Sequence, residues 1–385
     1  MLTPWVQIDL AVLDRNLRTL REALDSHTSL MLVAKANAYG HGITPIARQA
    51  ARSGVRWFAV AYISEALQVR AACEDAQILV LGAVAPEDIR ALLDHRVLPI
   101  IVDEAHGHAL ARAARAQGHV LKAHLKVDTG MGRFGVQWQD AVGAYGRLSK
   151  DPGLEIVGLC THLASYEPRK PSLGTEQMAH FFEVEAQIKK QANGPLFRHV
   201  SGSRAFLYRS DWDLDGVRVG IAAYGYGTSE RGIRAATQPV LQWRTGVMQV
   251  KRVPADFPVG YYSTHITPAP TTLATLAVGY VDGYHRALSN KGFVLIRGRR
   301  CAVVGRVSMN WITVDCGPDA DVAPGDEAVL IGEQAGESIW ADELARLAKT
   351  IPYEMLTSIH ADCERHYISA PNLPLSPNTS LRSRS

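Results

Sequence analysis

Short, continuously apolar runs alternate with longer stretches of helical periodicity over the first half of the chain. Eight runs precede position 235, and most stretches between them begin with Ser, Thr, Pro or Glu, as helices often do. Strands that are apolar throughout and alternate with helices predict a parallel sheet with its outer face covered. Eight such units predict a (β/α)8 barrel, with an open doubly wound sheet as the alternative. The runs are MLVAK, WFAVAY, ILVLG, LPIIV, LKAHLKVD, EIVGLCTH, LFRHVS and GVRVGIAAYG.

The pattern changes at about position 236, where short β-rich runs are separated by Gly, Pro or Asp turns. The sequence therefore predicts an α/β protein with an N-terminal (β/α)8 TIM-type barrel at 1–235 and a C-terminal mostly-β domain at 236–368. The last segment, 369–385, is rich in Pro, Ser and Asn and is predicted to be disordered. The β-rich runs are LQWRTGVMQVKRV, TTLATLAVGY, GFVLIRG, CAVVGRVSM, WITVDC and EAVLIG.

Composition narrows the range of partners. The 385 residues suit two domains, and 41 Lys+Arg against 38 Asp+Glu leave no strong field for nucleic acid or an anionic membrane. A small-molecule partner is expected. The five cysteines are scattered without CxxC spacing, which argues against a disulfide framework or a zinc site and favours a reducing, cytoplasmic location. The first residues, MLTPWVQIDLAVLD, resemble neither a signal peptide nor a membrane anchor.

Polar side chains collect at the ends of the predicted barrel strands, where barrel enzymes place their active sites. A lysine at a strand end ordinarily extends to water, and a lone histidine is ordinarily a core residue. Several ionisable ends together favour a site. No metal-ligand spacing, GxSxG elbow or GxxxxGKS loop is present, and a lysine among phosphate-type donors suits pyridoxal phosphate bound as an internal aldimine. The residues are Lys35, Tyr39, Lys126, Asp128, Arg133, His162, Ser203, Arg218 and Gly220.

Nine stretches, in order, resemble the signature segments of the alanine racemases, which are fold-type III pyridoxal phosphate enzymes. The resemblance covers nearly the whole chain up to about position 368. It implies a racemase that interconverts L- and D-alanine by two-base proton transfer, and a role in supplying D-alanine for peptidoglycan. The stretches are VAKANAYGHG, HLKVDTGMGRFGV, THLAS, SGSRA, VRVGIAAYG, VGYYS, LAVGYVDGYHR, GRVSMN and IPYEMLTSI.

The resemblance also implies a role for each matching residue. Lys35 would carry the cofactor and act as one acid/base group, and Arg218 would contact the pyridine nitrogen. A guanidinium there opposes protonation of the ring and discourages transamination. Arg133 and the backbone of Met309 would receive the substrate carboxylate. The cofactor phosphate would be held by Tyr39, Ser203, Tyr353 and the backbone of Gly220 and Ile221.

The second base implied by the resemblance is Tyr261, which in that family comes from the other subunit of a homodimer. Two bases on opposite faces are the simplest arrangement for racemisation. We expect His162 and Arg218 to assist the phenol through a hydrogen-bond chain. From the residues alone, a packing residue of the β domain with its hydroxyl at the surface is the favoured interpretation of Tyr261. Family members often carry a carbamylated lysine, here Lys126, and the alternative is a plain surface pair of Lys126 with Asp128.

Three segments depart from the family pattern and bear on substrate choice. SMD becomes Ser308-Met309-Asn310, NSAA becomes Gly202-Ser203-Arg204-Ala205, and GYG becomes Gly260-Tyr261-Tyr262. Loss of a charge at Asn310 makes a broader-specificity or serine racemase an alternative. A fold-type III decarboxylase is disfavoured because the chain has no GGG loop. A non-enzymatic pyridoxal phosphate carrier would not need the β domain.

Overall fold

The computed structural model describes residues 2–166, 173–227 and 235–368. The predicted disordered tail, 369–385, lies outside the described residues. In the described part of the chain, no helix is both long and apolar enough to cross a bilayer. All five cysteines are free thiols.

Eight parallel strands form the first sheet, and they coincide with the eight apolar runs. Adjacent strands pair in parallel from β2 through to β9, and β10 returns to pair with β2. Backbone hydrogen bonds from Asp215 to Arg198 (3.1 Å) and from Arg218 to Ser201 (3.0 Å) join the last two strands and close the barrel. The predicted (β/α)8 barrel is confirmed, and the open sheet is wrong. The strands are β2 Ser29–Val33, β3 Trp57–Val60, β4 Gln77–Val80, β5 Val97–Ile101, β6 Leu121–Asp128, β8 Leu154–Cys160, β9 Phe197–His199 and β10 Gly216–Val219, with the short β7 Val136–Gln137 beside β6.

Amphipathic helices cover the outside of the barrel. In the helix Ile43–Arg52, the buried residues recur at helical spacing, as an apolar stripe against the strands requires. Aspartates cap two helices, since Asp9 accepts from Val12 N (3.0 Å) and Asp103 accepts from His106 N (2.7 Å). The helices of this half are Leu10–Glu22, Ile43–Arg52, Ile63–Ala72, Ile89–Asp94, Glu104–Ala116, Trp138–Leu148, Leu173–Lys189 and Ser203–Tyr208, with 3-10 turns at Pro86–Asp88 and Ser210–Trp212.

The C-terminal half is a nine-stranded sheet, as the β-rich runs predicted. Its strand order is β19-β18-β15-β16-β17-β14-β11-β1-β20. The strands are β1 Trp5–Asp9, β11 Leu241–Val253, β14 Thr271–Leu276, β15 Phe293–Ile296, β16 Arg299–Val303, β17 Ile312–Gly317, β18 Glu327–Gln334, β19 Glu337–Ile339 and β20 Glu364–Ile368, with a separate hairpin of β12 Pro258–Val259 and β13 His265–Ile266. The helices are Ala341–Ala348 and Pro352–Thr357, with 3-10 turns at Tyr261–Ser263, Tyr280–Asp282 and Arg286–Leu288.

The first strand of the chain lies in this second sheet. Residues Trp5–Asp9 pair antiparallel with β11 and parallel with β20. The sequence predicts that positions 1–235 belong to the barrel. The structure instead places the strand Trp5–Asp9, near the start of the chain, in the sheet of the β domain. The boundary at 235 itself stays a prediction.

The two halves share one hydrophobic core, and the strand β20 packs on the mouth of the barrel. Arg365 donates to the carbonyl of Gly40 (2.8 Å), and Tyr367 donates to the carbonyl of His41 (3.1 Å). Gly40 has φ +82, and a Cβ there would stand 2.5 Å from the carbonyl oxygen of Leu356. Only glycine permits this approach, and it brings the helix Pro352–Thr357 against the turn that follows β2.

Candidate active site

A cavity of about 460 Å³ opens at the carboxyl ends of the barrel strands. Side chains that follow β2, β3, β6, β8, β9 and β10 line it, together with Tyr353 from the C-terminal half. Of the thirteen site residues predicted from the sequence, ten line this cavity: Lys35, Tyr39, Lys126, Arg133, His162, Ser203, Arg218, Gly220, Ile221 and Tyr353.

Lys35 begins a left-handed turn. The four residues after it, Ala36 to Tyr39, have φ between 53 and 55°. This left-handed conformation costs about 1–2 kcal/mol per non-glycine residue. Backbone hydrogen bonds from Ala38 to Ala34 (2.9 Å) and from Gly40 to Ala36 (3.0 Å) help to hold the turn. Such strain persists where surrounding contacts over-determine it, and it is often found at functional sites.

The electrostatic surroundings favour the neutral amine of Lys35. Burial lowers the pKa of Lys35, the charge of Arg133 lowers it further, and the carboxylate of Glu65 acts in the opposite direction. A lysine tuned in this way has more of the free-base form at neutral pH, which is the form that attacks carbonyl carbon.

Hydroxyl groups converge beside the strand end of β10. Ser203 Oγ accepts from Gly220 N at 2.9 Å, and the rings of Tyr39 and Tyr353 lie 5.9 Å apart. A Cβ on Gly220 would stand 2.4 Å from the hydroxyl of Tyr39, so only glycine leaves room there. Burial raises the pKa of Tyr39 and also that of Tyr353, which keeps both as neutral donors. Neutral hydroxyls and backbone N–H groups are suited to an anion.

Arg218 is buried, and most of its donors are used by the protein. Its NH1 donates to the carbonyl (2.8 Å) and to Nδ1 (2.5 Å) of His199. Its NH2 donates to the carbonyls of Thr161 (2.8 Å) and Val200 (2.7 Å) and to Nδ1 of His162 (3.2 Å). Across residues 2–166, 173–227 and 235–368, the Nε–H of Arg218 has no hydrogen-bond acceptor. One rigidly held donor therefore remains for a group in the cavity.

The same arginine fixes the tautomers of three histidines. Because guanidinium nitrogens only donate, Nδ1 of His162 and of His199 must accept, and each neutral ring carries its proton on Nε2. His199 Nε2 then donates to Nδ1 of His124 at 2.9 Å. Burial, and next the charge of Arg218, lower the pKa of His162 to about 2 and that of His124 to about 3. His162 therefore presents an N–H to the cavity.

Lys126 lies on the inner side of β6 and is only 8 % exposed. The strands β6 and β8 place it opposite Cys160. Burial, and then the charges of Arg218 and Arg133, lower the pKa of Lys126 to about 7. The carboxylate of Asp128 contacts the loop that follows β6. Lys126 and Asp128 are both buried, at 8 % and 5 % exposure, so they do not form a pair at the surface. Carbamylation of Lys126 stays a prediction.

The carboxylate of Asp128 binds the backbone of the loop that carries Arg133. Asp128 Oδ1 accepts from the backbone N–H of Gly130 (2.9 Å), Met131 (2.8 Å) and Gly132 (3.2 Å). Burial by itself would raise the pKa of Asp128, but these three N–H groups hold it below its usual range. The ionised carboxylate thus shapes the turn that presents Arg133 at the cavity.

Tyr261 and Met309 do not line this cavity. Tyr261 is 66 % exposed and Met309 is 55 % exposed, and both lie on loops of the C-terminal half. The loop of Met309 lies beside that of Val281, whose N–H donates to the carbonyl of Met309 (3.1 Å), and Arg306 lies over the ring of Tyr262 (4.8 Å). Six large apolar side chains of these loops are exposed, and we refer to them together as the exposed aromatic face. The exposed aromatic face comprises Tyr261, Tyr262, Tyr280, Val281, Met309 and Trp311.

Two supporting residues were missed by the sequence analysis. Glu65 accepts from the backbone of Ala36 beside the lysine turn (2.6 Å). Gln177, fully buried on the helix Leu173–Lys189, binds the loops after β6 and β8. Glu65 resembles an ordinary helix-capping residue in the sequence, and Gln177 lies far along the chain from the loops that it supports. The structure describes no group of three or more His, Cys, Asp or Glu residues within residues 2–166, 173–227 and 235–368 that could hold a metal ion.

Comparison with known proteins identifies the family. The model of the alanine racemase N-terminal domain matches residues 8–228, and that of the C-terminal domain matches residues 240–367. An alanine racemase of Symbiobacterium thermophilum is 40% identical over 367 residues, which is 94% of this chain and 96% of the relative. One of Halothermothrix orenii is 39% identical over 364 residues, again 94% of this chain and 96% of the relative.

Solved structures agree over the same length. Alanine racemase of Streptomyces coelicolor superposes with a TM-score of 0.89 at 35% identity, covering 95% of this chain and 98% of that one. The Bartonella henselae enzyme, whose structure has covalently bound pyridoxal phosphate, superposes with a TM-score of 0.85 at 31% identity, covering 95% and 99%. The chain belongs to the alanine racemase family.

Proposed function

We infer that the protein is a pyridoxal phosphate-dependent alanine racemase that interconverts L- and D-alanine. The observation that carries this inference is a single cavity in which an amine of lowered pKa, Lys35, faces a hydroxyl cluster and one free donor of Arg218. Membership of the family supports the reaction, and the cavity contains groups of the kinds that this cofactor would need.

The residues fit this cofactor group by group. Tyr39, Ser203 and Tyr353, with the backbone of Gly220 and Ile221, would bind the phosphate as neutral donors. The Nε–H of Arg218 would meet the pyridine nitrogen, and the positive charge would keep that nitrogen unprotonated. When bound, pyridoxal phosphate supplies an aldehyde that links to an amine and withdraws electrons from Cα of the substrate.

Lys35 holds the cofactor through its amine and moves a proton at one face of the substrate Cα. Arg133 binds the substrate carboxylate, with the backbone N–H of Met309 as a second donor. The buried amine of Lys126, with a pKa of about 7, is neutral often enough to react with carbon dioxide. We propose that the resulting carbamate pairs with Arg133 and orients it.

We propose that a second copy of the chain completes the site. Racemisation needs a proton donor on the opposite face, and Tyr261, the second base that the family suggests, does not line the cavity of its own chain. We propose a homodimer in which the domain at 236–368 turns its exposed aromatic face, with Tyr261 and Met309, to the cavity of the other copy. Burying this apolar face would stabilise the dimer.

His162 would assist Tyr261 of the second copy. Because Arg218 fixes the proton of His162 on Nε2, His162 donates toward the cavity, and a donor to the phenolic oxygen favours the phenolate. The neutral His162 does this without taking the proton itself. Arg218 and His162 thus form the chain of donors that lets a phenol act as a base.

The cellular setting is also a proposal. Five free thiols suit the reducing cytoplasm, and D-alanine for peptidoglycan is the use that the family suggests. Asn310 is exposed and stands where the family commonly has an aspartate, and this loss of a negative charge favours serine as one further substrate.

The direct test is chiral chromatography of L-alanine, D-alanine and L-serine incubated with the purified protein and pyridoxal phosphate. We expect both alanine enantiomers to reach the same 1:1 mixture. A Lys35→Ala variant should convert neither alanine enantiomer. A Lys122→Ala variant, which alters a lysine that faces outward, should match the wild type. Formation of no D-alanine by cofactor-loaded wild type would overturn the proposal.

A further inference from the structure

Glu65 joins the lysine turn to the neighbouring barrel strand. Its Oε2 accepts from the backbone N–H of Ala61 (2.8 Å) and Tyr62 (3.2 Å), as a capping glutamate in the first turn of a helix does. Its Oε1 reaches the end of the adjacent strand β2 and accepts from Ala36 N at 2.6 Å. The second contact has no part in capping the helix of Glu65.

Ala36 N is the first backbone donor after Lys35. Residues 36–39 are left-handed, and the first N–H groups of a helical turn find no acceptor within the turn itself. Glu65 supplies the missing acceptor with a charged oxygen, and hydrogen bonds to charged groups are stronger than neutral ones. The contact therefore fixes the residue that adjoins the amine-bearing one.

Both carboxylate oxygens of Glu65 act only as acceptors. A glutamine in either amide orientation would place an NH2 group against at least one backbone N–H. An aspartate would keep the charge but is one methylene too short to reach Ala36. The site therefore requires both the charge and the length of glutamate.

We propose that Glu65 is a positioning residue that holds Lys35 at the cavity by clamping the left-handed turn to the end of β3. This inference rests on the proposed function, in which Lys35 binds the cofactor. Its charge has a second effect, since the carboxylate opposes the lowering of the pKa of Lys35 by burial and by Arg133. Loss of the carboxylate should therefore lower that pKa further.

The proposal can be tested without turnover of substrate. Hydrogen exchange of the peptide 31–42, measured on protein without added cofactor, should be at least about tenfold faster in Glu65→Gln and Glu65→Asp. The matched control is Glu104→Gln, which alters another first-turn glutamate, one that pairs with Arg147 outside the barrel. Unchanged exchange in both Glu65 variants would overturn the clamp.

A second readout follows the reaction of added pyridoxal phosphate with Lys35 by absorbance, as a function of pH. We expect wild type and Glu104→Gln to react alike, and Glu65→Gln to react at least tenfold more slowly, with its pH midpoint displaced downward. If Glu65→Gln does not fold, Glu65→Asp, which retains the negative charge, should show the slow reaction. Equal rates and midpoints in wild type and the Glu65 variants would refute the positioning role. Absence of the reaction in wild type would refute the proposed function instead.

Discussion

The side-chain amide of Gln177 donates to the main-chain carbonyl of His162 at 3.1 Å, from a helix on the outside of the barrel. Its oxygen accepts from Ala164 N at 2.8 Å, and its NH2 group also reaches Thr129 Oγ1 at 3.4 Å. One buried amide thus joins the loop of His162 to the loop that leads to Arg133.

We expect Gln177→Leu to lower activity by disturbing both loops. Leaving buried backbone groups unpaired costs about 1–3 kcal/mol, so unfolding should also occur at a lower temperature. The control is Gln187→Leu on the same helix, whose side chain is exposed. Steady-state kinetics and thermal unfolding of both variants check the expectation. Equal loss in the two variants, or none in either, would contradict this role.

Buried neutral histidines should make the protein sensitive to acid. Burial lowers the pKa of His41 to about 4, of His124 to about 3 and of His162 to about 2. In the unfolded chain these groups bind protons near pH 6.5. Below that pH the unfolded state therefore binds more protons than the folded state, and stability falls as the pH falls.

The free energy of unfolding should thus decrease between pH 6.5 and pH 5, by up to roughly 1.4 kcal/mol per histidine and pH unit. The midpoint temperature of thermal unfolding should decrease with it. The measurement is a series of unfolding curves at constant ionic strength. A His41→Asn variant, outside the cavity, should show a shallower decrease than the wild type. An unfolding midpoint that stays constant over this range would be inconsistent with neutral buried histidines.

Subunit complementation should report the shared site. Chains with Lys35→Ala and chains with Tyr261→Phe are each expected to be inactive, yet mixing them should restore up to about a quarter of wild-type activity. Random exchange makes half the dimers mixed, and each mixed dimer has one intact site. Tyr262→Phe, a change to the adjacent exposed tyrosine, serves as the control and should be active alone. No recovery after proven subunit exchange would exclude a site built from two chains.

The sequence predicted the barrel well because its strands are buried on both faces. MLVAK and GVRVGIAAYG are apolar throughout, so their pattern identifies them without tertiary information. The strand WVQID is different, since it is short, alternates in burial and pairs with residues more than 230 positions away. Only the folded chain shows that it belongs to the second sheet.

The candidate site was predictable only in part. Residues at strand ends, such as Lys35 and Arg218, are placed by the barrel itself. Glu65 and Gln177 act through backbone contacts, and such contacts leave no motif. Tyr261 does not line the cavity of its own chain, and its role depends on the proposed dimer.

The central claim is that Lys35 and Tyr261 of a second copy serve opposite faces of the substrate, and α-proton exchange in deuterated water tests it most directly. Tyr261→Phe retains Lys35, so it should still exchange the α-proton of D-alanine. Its exchange of L-alanine should fall by about 10² to 10⁴, the usual cost of losing a general base. Tyr262→Phe should exchange both enantiomers as the wild type does. If Tyr261→Phe instead slows both enantiomers equally, Tyr261 is not a face-specific base and the two-base account is wrong.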